Sequence, residues 1–254
     1  MRRLFMLASL AALPFLAACS GEDRPEVIVG AASSLLPLLR ELEPVFEKDA
    51  LIDLTITYNA TGTIARQIEQ GAPIDVFLSA DQALTLQMVE EGFLRQDSIL
   101  AIGESLLVVI RPQDGETSTF LDARRIAIAN PETAPYGTAA KHLLEINALW
   151  EQVESRVVYA ESALQAVQFV RSAEADIGLV PLTLVAQNRQ GVELISERTH
   201  GVFGTEPITQ IGAIATTSVQ VDAATRFLDF LLSKAAQSIF GRHGYAPTRI
   251  EASG

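Results

Sequence analysis

Four short stretches set hydroxyl, glycine and proline residues directly before apolar helical runs: Ser33-Ser34, Thr61-Gly62-Thr63, Pro135-Tyr136-Gly137 and Glu161-Ser162-Ala163. The first turn of a helix carries backbone N–H groups with no intrahelical partner, and its partial positive charge favours anions. Taken singly, each turn is an ordinary cap in which Ser or Thr accepts from the backbone. Brought together, the four would surround a small anion with donors and need no counter-charge. The fullest example lies in the run Tyr58 to Asp81, which reads as strand, turn, short helix, strand. Such an all-donor site suits a fully deprotonated tetrahedral oxyanion, whereas phosphate near neutral pH keeps a proton and needs an acceptor. Asp81 and Glu161 are the nearby carboxylates; Asp81 reads more simply as a helix N-cap.

Other chemistry finds no support in the residue pattern. The chain has no G-x-S-x-G, H-E-x-x-H, G-x-x-x-x-G-K-[ST] or G-x-G-x-x-G motif, so the common hydrolytic, zinc and nucleotide signatures are missing. His142, His200 and His243 lie far apart without ligand spacing. A hydrolytic enzyme is therefore the less favoured class.

The elements that must carry the turns alternate between strand and helix. Val27-Ile28-Val29-Gly30 is an apolar strand, followed by a helix with Leu35, Leu38, Leu39, Leu42, Val45 and Phe46 at helical spacing. Leu54 to Tyr58 is a strand, Ile64, Ala65 and Ile68 make the next helix amphipathic, and Gly71 closes it. Asp75 to Ser79 is a strand before a helix over Gln82 to Glu91. A second series runs through a strand at Arg125 to Ala129, a loop to Gly137, a helix from Thr138 to about Asn147, a strand at Val157 to Tyr159, a helix through Val167 and Val170, and a strand at Asp176 to Val180 with a helix after Pro181. This alternation predicts α/β architecture with parallel-core sheets and helices on both faces. Two long strands, Ser105 to Arg111 and Ile208 to Thr216, bracket the second series and are expected to pair. They make the chain leave one lobe and return to it, as two crossing hinge strands: lobe one is 27–105 with 211–254, and lobe two is 106–210. A cleft between the lobes follows.

Residues 1–18 have a basic start, an apolar run and a small-residue end, which reads as an export signal. Leu16-Ala17-Ala18-Cys19 resembles the bacterial lipobox, implying lipidation of Cys19 and a tether over 19–26. The expected location is periplasmic, with the protein anchored to a membrane by lipid. Cys19 is the only cysteine, which excludes a disulfide and a cysteine nucleophile in the folded part. The formal charge of −12, more negative still once Arg2 and Arg3 leave with the signal, argues against nucleic acid as a partner. Any anion must be held by local dipoles against the overall charge.

The runs Val29 to Leu35, Ala65 to Asp81, Ile128 to Glu132, Ala134 to Gly137, Ala175 to Val180 and the terminal F-G-R-H-G-Y together resemble the bacterial periplasmic molybdate-binding protein of an ABC transporter, within the class II solute-binding proteins. The resemblance implies a two-lobe periplasmic binding protein type II fold and a monomer that delivers molybdate or tungstate to an ABC permease and its ATPase. It implies no cofactor and molybdenum present only as the oxyanion, without direct protein–metal ligands. Carried over residue by residue, the ligands fall on Ser34 through hydroxyl and amide, on Thr61 where the family more often has serine, and on the backbone amides of Tyr136 and Ala163. One position departs: the family's donor tyrosine falls on Pro181, which has neither hydroxyl nor N–H. One lost donor is worth about 0.5–1.5 kcal/mol, and Ser162 or the Tyr136 side chain is the candidate replacement. Sulfate, phosphate, or a sensor that docks a receptor when loaded are the alternatives.

Overall fold

The computed structural model describes residues 24–117, 119–195 and 206–248. Cys19, the signal segment and His200 lie outside the described residues. In chain order the first group of elements is β1 (Glu26–Ala32), α1 (Leu36–Ala50), β2 (Asp53–Asn59), α2 (Thr61–Glu69), β3 (Val76–Ser79), α3 (Gln82–Glu90) and β4 (Leu100–Ser105). The second is β5 (Leu107–Pro112), β6 (Ile126–Ala129), α4 (Pro135–Ile146), α5 (Trp150–Val153), β7 (Val157–Ala160), α6 (Ala163–Arg171), β8 (Ile177–Pro181) and β9 (Val192–Ile195). The chain then returns through β10 (Ile208–Ile214), α7 (Val221–Leu231) and α8 (Lys234–Arg242).

Two five-stranded sheets result, ordered β2-β1-β3-β10-β4 and β7-β6-β8-β5-β9. In each, four strands share one direction and the fourth in the order runs against them: β10 pairs antiparallel with β3 and β4, and β5 pairs antiparallel with β8 and β9. β1, β2, β3, β6 and β7 are each followed by a turn into a helix, so these helix starts collect at the carboxyl ends of the strands, where open α/β sheets take ligands. Helices cover both faces of the first sheet. The α1 residues Leu38, Leu42 and Phe46 and the α7 residues Phe227 and Leu231 join the main apolar cluster. Ile64 and Ile68 of α2 and Met88 of α3 form a second cluster around Phe77.

Three readings of local pattern are corrected. The apolar run Ser105 to Arg111 is not one strand pairing with Ile208 to Thr216. It is interrupted at Leu106: β4 pairs with β10 in the first sheet, while β5 pairs with β8 and β9 in the second. Hydrophobicity marks a run as buried but does not mark where its partner changes. The helix expected from Thr138 begins three residues earlier, with Pro135 in its first turn, where a missing N–H and a fixed φ suit it. Tyr136 and Gly137 therefore belong to α4 rather than to a loop. After Pro181 there is only a single 3₁₀ turn, Leu182–Leu184, and β9 is an edge strand that periodicity did not reveal.

Candidate functional site

In the first sheet β1 and β2 are parallel neighbours with Ala32 opposite Asn59, which sets the Ser33–Leu35 turn beside the start of α2. Ser34 is 1% exposed, and its Oγ is buried without a hydrogen-bond partner. Its carbonyl, by contrast, accepts from both Thr183 Oγ1 and Tyr245 OH, each at 3.1 Å. Thr61 is equally buried; its Oγ1 accepts from the Ala80 N–H at 3.3 Å, which leaves the Thr61 proton available to donate. The α2 N-cap is Ala60, so neither Thr61 nor Thr63 caps the helix in the ordinary way.

In the second sheet β6 and β7 are parallel neighbours with Ala129 opposite Ala160, bringing the starts of α4 and α6 together. The first turn of α4 lies directly against the end of β6: a Cβ on Gly137 would sit 2.2 Å from the Ala129 carbonyl oxygen. The Tyr136 phenol is buried and accepts from Gln210 Nε2 at 3.3 Å. Burial pushes the phenol's pKa up to about 12 against the opposing pull of Ser105, Ser34 and Gln210. Burial, followed by the neighbouring Tyr136, likewise raises Tyr245 well above the usual phenol value. Ala163 opens α6 behind a reciprocal cap in which Ser162 Oγ accepts from the Gln165 N–H and Gln165 Oε1 accepts from the Glu161 N–H.

The four turns meet. The Gly62 N–H of α2 donates to the Thr133 carbonyl just before α4 at 2.9 Å. Helix α6 of the second sheet packs against Ser33–Leu35, and the Leu182–Leu184 turn packs against both that segment and α1. Three of the helix starts, after Ala32, Ala60 and Ala134, have no side-chain cap although Ser34, Thr61 and Tyr136 are buried. Buried helix starts without caps call for another acceptor, and the unpartnered Ser34 hydroxyl belongs to the same set.

The remaining candidates fall elsewhere. Asp81 caps α3 through the Leu84 N–H at 3.0 Å, and Glu161 is exposed. Pro181 ends β8, buried and paired with Leu107. The Tyr136 phenol is engaged by Gln210, while Ser162 accepts as a cap and retains its proton. Among the described residues no group of three or more His, Cys, Asp or Glu could hold a metal ion. Sequence reasoning missed Ser105, Thr183, Gln210 and Tyr245; of these only Tyr245 stood in a quoted motif.

A profile of bacterial extracellular solute-binding proteins matches residues 27–246. A molybdate-binding protein of Azotobacter vinelandii is 31% identical over 91% of this chain and 93% of its own length. The solved structure of a periplasmic molybdate-binding protein from the same organism superposes with a TM-score of 0.77 at 27% identity, covering 88% of this chain and all of that one (100%). A Bacillus subtilis protein, provisionally named an ABC transporter substrate-binding lipoprotein, is 28% identical over 94% of this chain and 96% of its own length.

Proposed function

The chain belongs to the bacterial extracellular solute-binding proteins, and on that premise we propose that it is the capture component of an ABC importer for molybdate. Its relatives and structural neighbours include molybdate-binding proteins over nearly the full chain. The observation that carries the reading is the set of three uncapped helix starts around the buried, unpartnered Ser34 hydroxyl. In this reading Ser34 and Thr61 donate through their hydroxyls, and Tyr136 and Ala163 through their amides. Tungstate, equal to molybdate in charge and shape, enters the same site.

A dianion inside a chain of formal charge −12 needs local compensation. Each helix start supplies about 0.3–1 kcal/mol, and up to about 2 when partly buried. Each hydrogen bond to a charged oxygen supplies about 1.5–3 kcal/mol. Closure of lobe one, 27–105 with 211–254, on lobe two, 106–210, strips water from the anion and strengthens these contacts. Opening at the permease separates Gly62 from Thr133 and releases the anion for transport driven by the partner ATPase. A lipid on Cys19 keeps the protein at the membrane from which it delivers; Cys19→Ser should move it from the membrane to the soluble fraction of cells.

Calorimetric titration of the lipid-free protein with molybdate, tungstate, sulfate and phosphate tests the ligand. Strong heat with molybdate and tungstate is expected. Heat with phosphate alone, or with none of the four, would overturn the reading.

A further inference from the structure

The Ser34 carbonyl accepts two hydroxyl protons, one from an element of each sheet. Thr183 Oγ1 and Tyr245 OH both donate to it at 3.1 Å. A carbonyl oxygen can only accept and has two lone pairs, so the direction of both bonds is settled and its capacity is filled. Tyr245 is tied to the first sheet. Its ring meets Phe240 of α8 edge-on, and the next residue, Ala246, exchanges backbone bonds with Glu104 of β4 at 2.8 and 2.9 Å. Thr183 is tied to the second sheet, in the 3₁₀ turn that follows Pro181 at the end of β8, where Pro181 pairs with Leu107 of β5. It is the only polar side chain between Pro181 and Ala186.

Burial decides which bond of this segment matters. Thr183 and Ser34 are each 1% exposed, and Tyr245 is 4% exposed. A second bond from the same segment, Gln187 Nε2 to the Arg242 carbonyl at 2.8 Å, is exposed, and water replaces it at little cost. Gly244, beside Tyr245 in the chain, packs so closely that an added Cβ would lie 3.2 Å from Leu182 and 3.3 Å from Ala186. The bond from Thr183 is thus formed in a dry, packed contact.

Resting on the two-lobe capture reading above, we infer that Thr183 is the positioning residue that couples closure of the lobes to Ser34. Ser34 and Tyr245 lie in lobe one and Thr183 in lobe two. Tyr245 therefore holds the Ser34 carbonyl in every state, whereas Thr183 reaches it only when the lobes meet. A carbonyl oxygen turned towards a bound dianion would repel it. With both lone pairs engaged, this one stays on the two hydroxyls, and the Ser34 side chain keeps a single setting. Anion and bond then favour each other by the same factor, because each is made in the closed form.

The test compares lipid-free wild type, Thr183→Val, Thr183→Ser and Tyr245→Phe by calorimetric titration with molybdate, by stopped-flow release of molybdate and by thermal melts without ligand. Thr183→Val is expected to bind molybdate about fivefold more weakly, the effect of one hydrogen bond, with most of the loss in faster release. Its unliganded melt should match wild type, since Tyr245 still satisfies the Ser34 carbonyl. Thr183→Ser keeps the hydroxyl and should restore both affinity and release rate. Tyr245→Phe removes a bond within lobe one and should lower the unliganded melt. Wild-type affinity in Thr183→Val overturns the inference while leaving the anion site intact. An unliganded melt of Thr183→Val that falls as far as that of Tyr245→Phe, or is no longer cooperative, overturns it by showing that the bond supports the fold in every state. Thr183→Ser that stays as weak as Thr183→Val overturns it in favour of packing by the Thr183 methyl group. Wild-type protein that binds no molybdate fails the capture reading itself, and the inference with it.

Discussion

Gly62, at the start of α2 beside the first sheet, and Thr133, just before α4 beside the second, are joined by a 2.9 Å hydrogen bond from backbone N–H to backbone carbonyl. The bond uses one of the otherwise unpaired donors at the start of α2, so the contact between the elements of the two sheets and the chemistry of that helix start are the same interaction. Side-chain bonds from Gln210 on β10 of the first sheet to Tyr136 on α4, and from Thr183 after β8 of the second sheet to the Ser34 carbonyl, likewise join elements of the two sheets.

Substituting Gly62 by Ala should separate closure from folding. The added Cβ would lie 3.1 Å from the Thr133 oxygen and 3.3 Å from its Cα, both backbone atoms. Overpacking of this order costs about 1 kcal/mol, ~fivefold in molybdate affinity, while alanine's better helix propensity supports α2 itself. Calorimetry should show weaker binding, with no loss of melting temperature in the unliganded protein. Unchanged affinity would contradict the contact.

Ser34→Ala should weaken molybdate binding by about 1.5–3 kcal/mol, ~10–100-fold, without lowering thermal stability, because the lost hydroxyl has no protein partner. Thr61→Ser should bind nearly as wild type, since the hydroxyl that accepts from Ala80 is kept. Thr61→Val should be worse on both counts, leaving the Ala80 N–H unpaired. Titration and melting of the three variants together check the contrast.

Gly137→Ala is expected to damage the fold as well as the site. A Cβ there meets three backbone atoms of Ala129 and Asn130 between 2.2 and 2.8 Å, so α4 must move off the end of β6. A cost of about 1–3 kcal/mol should appear as a melting temperature lower by roughly 2–12 °C. Equal melting temperatures would show that α4 does not need this approach.

Asp176 gives a pH-dependent stability with a definite sign. Burial works against its charge, but the Arg125 and Arg124 backbone N–H groups donate to its carboxylate, and together with the Arg124 guanidinium they hold the carboxyl below the usual carboxylate range. A folded-state pKa below the unfolded value of about 3.9 means the contribution is present above about pH 4 and is lost as pH falls through the folded pKa. Asp176→Asn should therefore melt lower than wild type at neutral pH, and the two curves should converge towards about pH 2. A gap that persists at acid pH would show that the carboxylate's charge is not what stabilises.

The amino-acid pattern by itself carried the alternation of strand and helix, the four turns, Asp81 as a cap and the expectation of two lobes, because periodicity and turn chemistry act within a few residues. The starts of α2 and α6 were legible for the same reason. What Leu106 does was not: a seven-residue apolar run looks alike whether it serves one sheet or hands the chain from one to another. Nor was the state of the helix starts, since Thr61 reads as a cap and is instead one residue inside α2 with its hydroxyl turned to Ala80. The partners of Ser34 are 149 and 211 residues away, and the Tyr136 phenol answers to Gln210, 74 residues on. Whether a hydroxyl is a cap, a packed donor or an unpaired one depends on which distant atoms surround it once water is excluded. Only the closing of the two sheets on each other decides that.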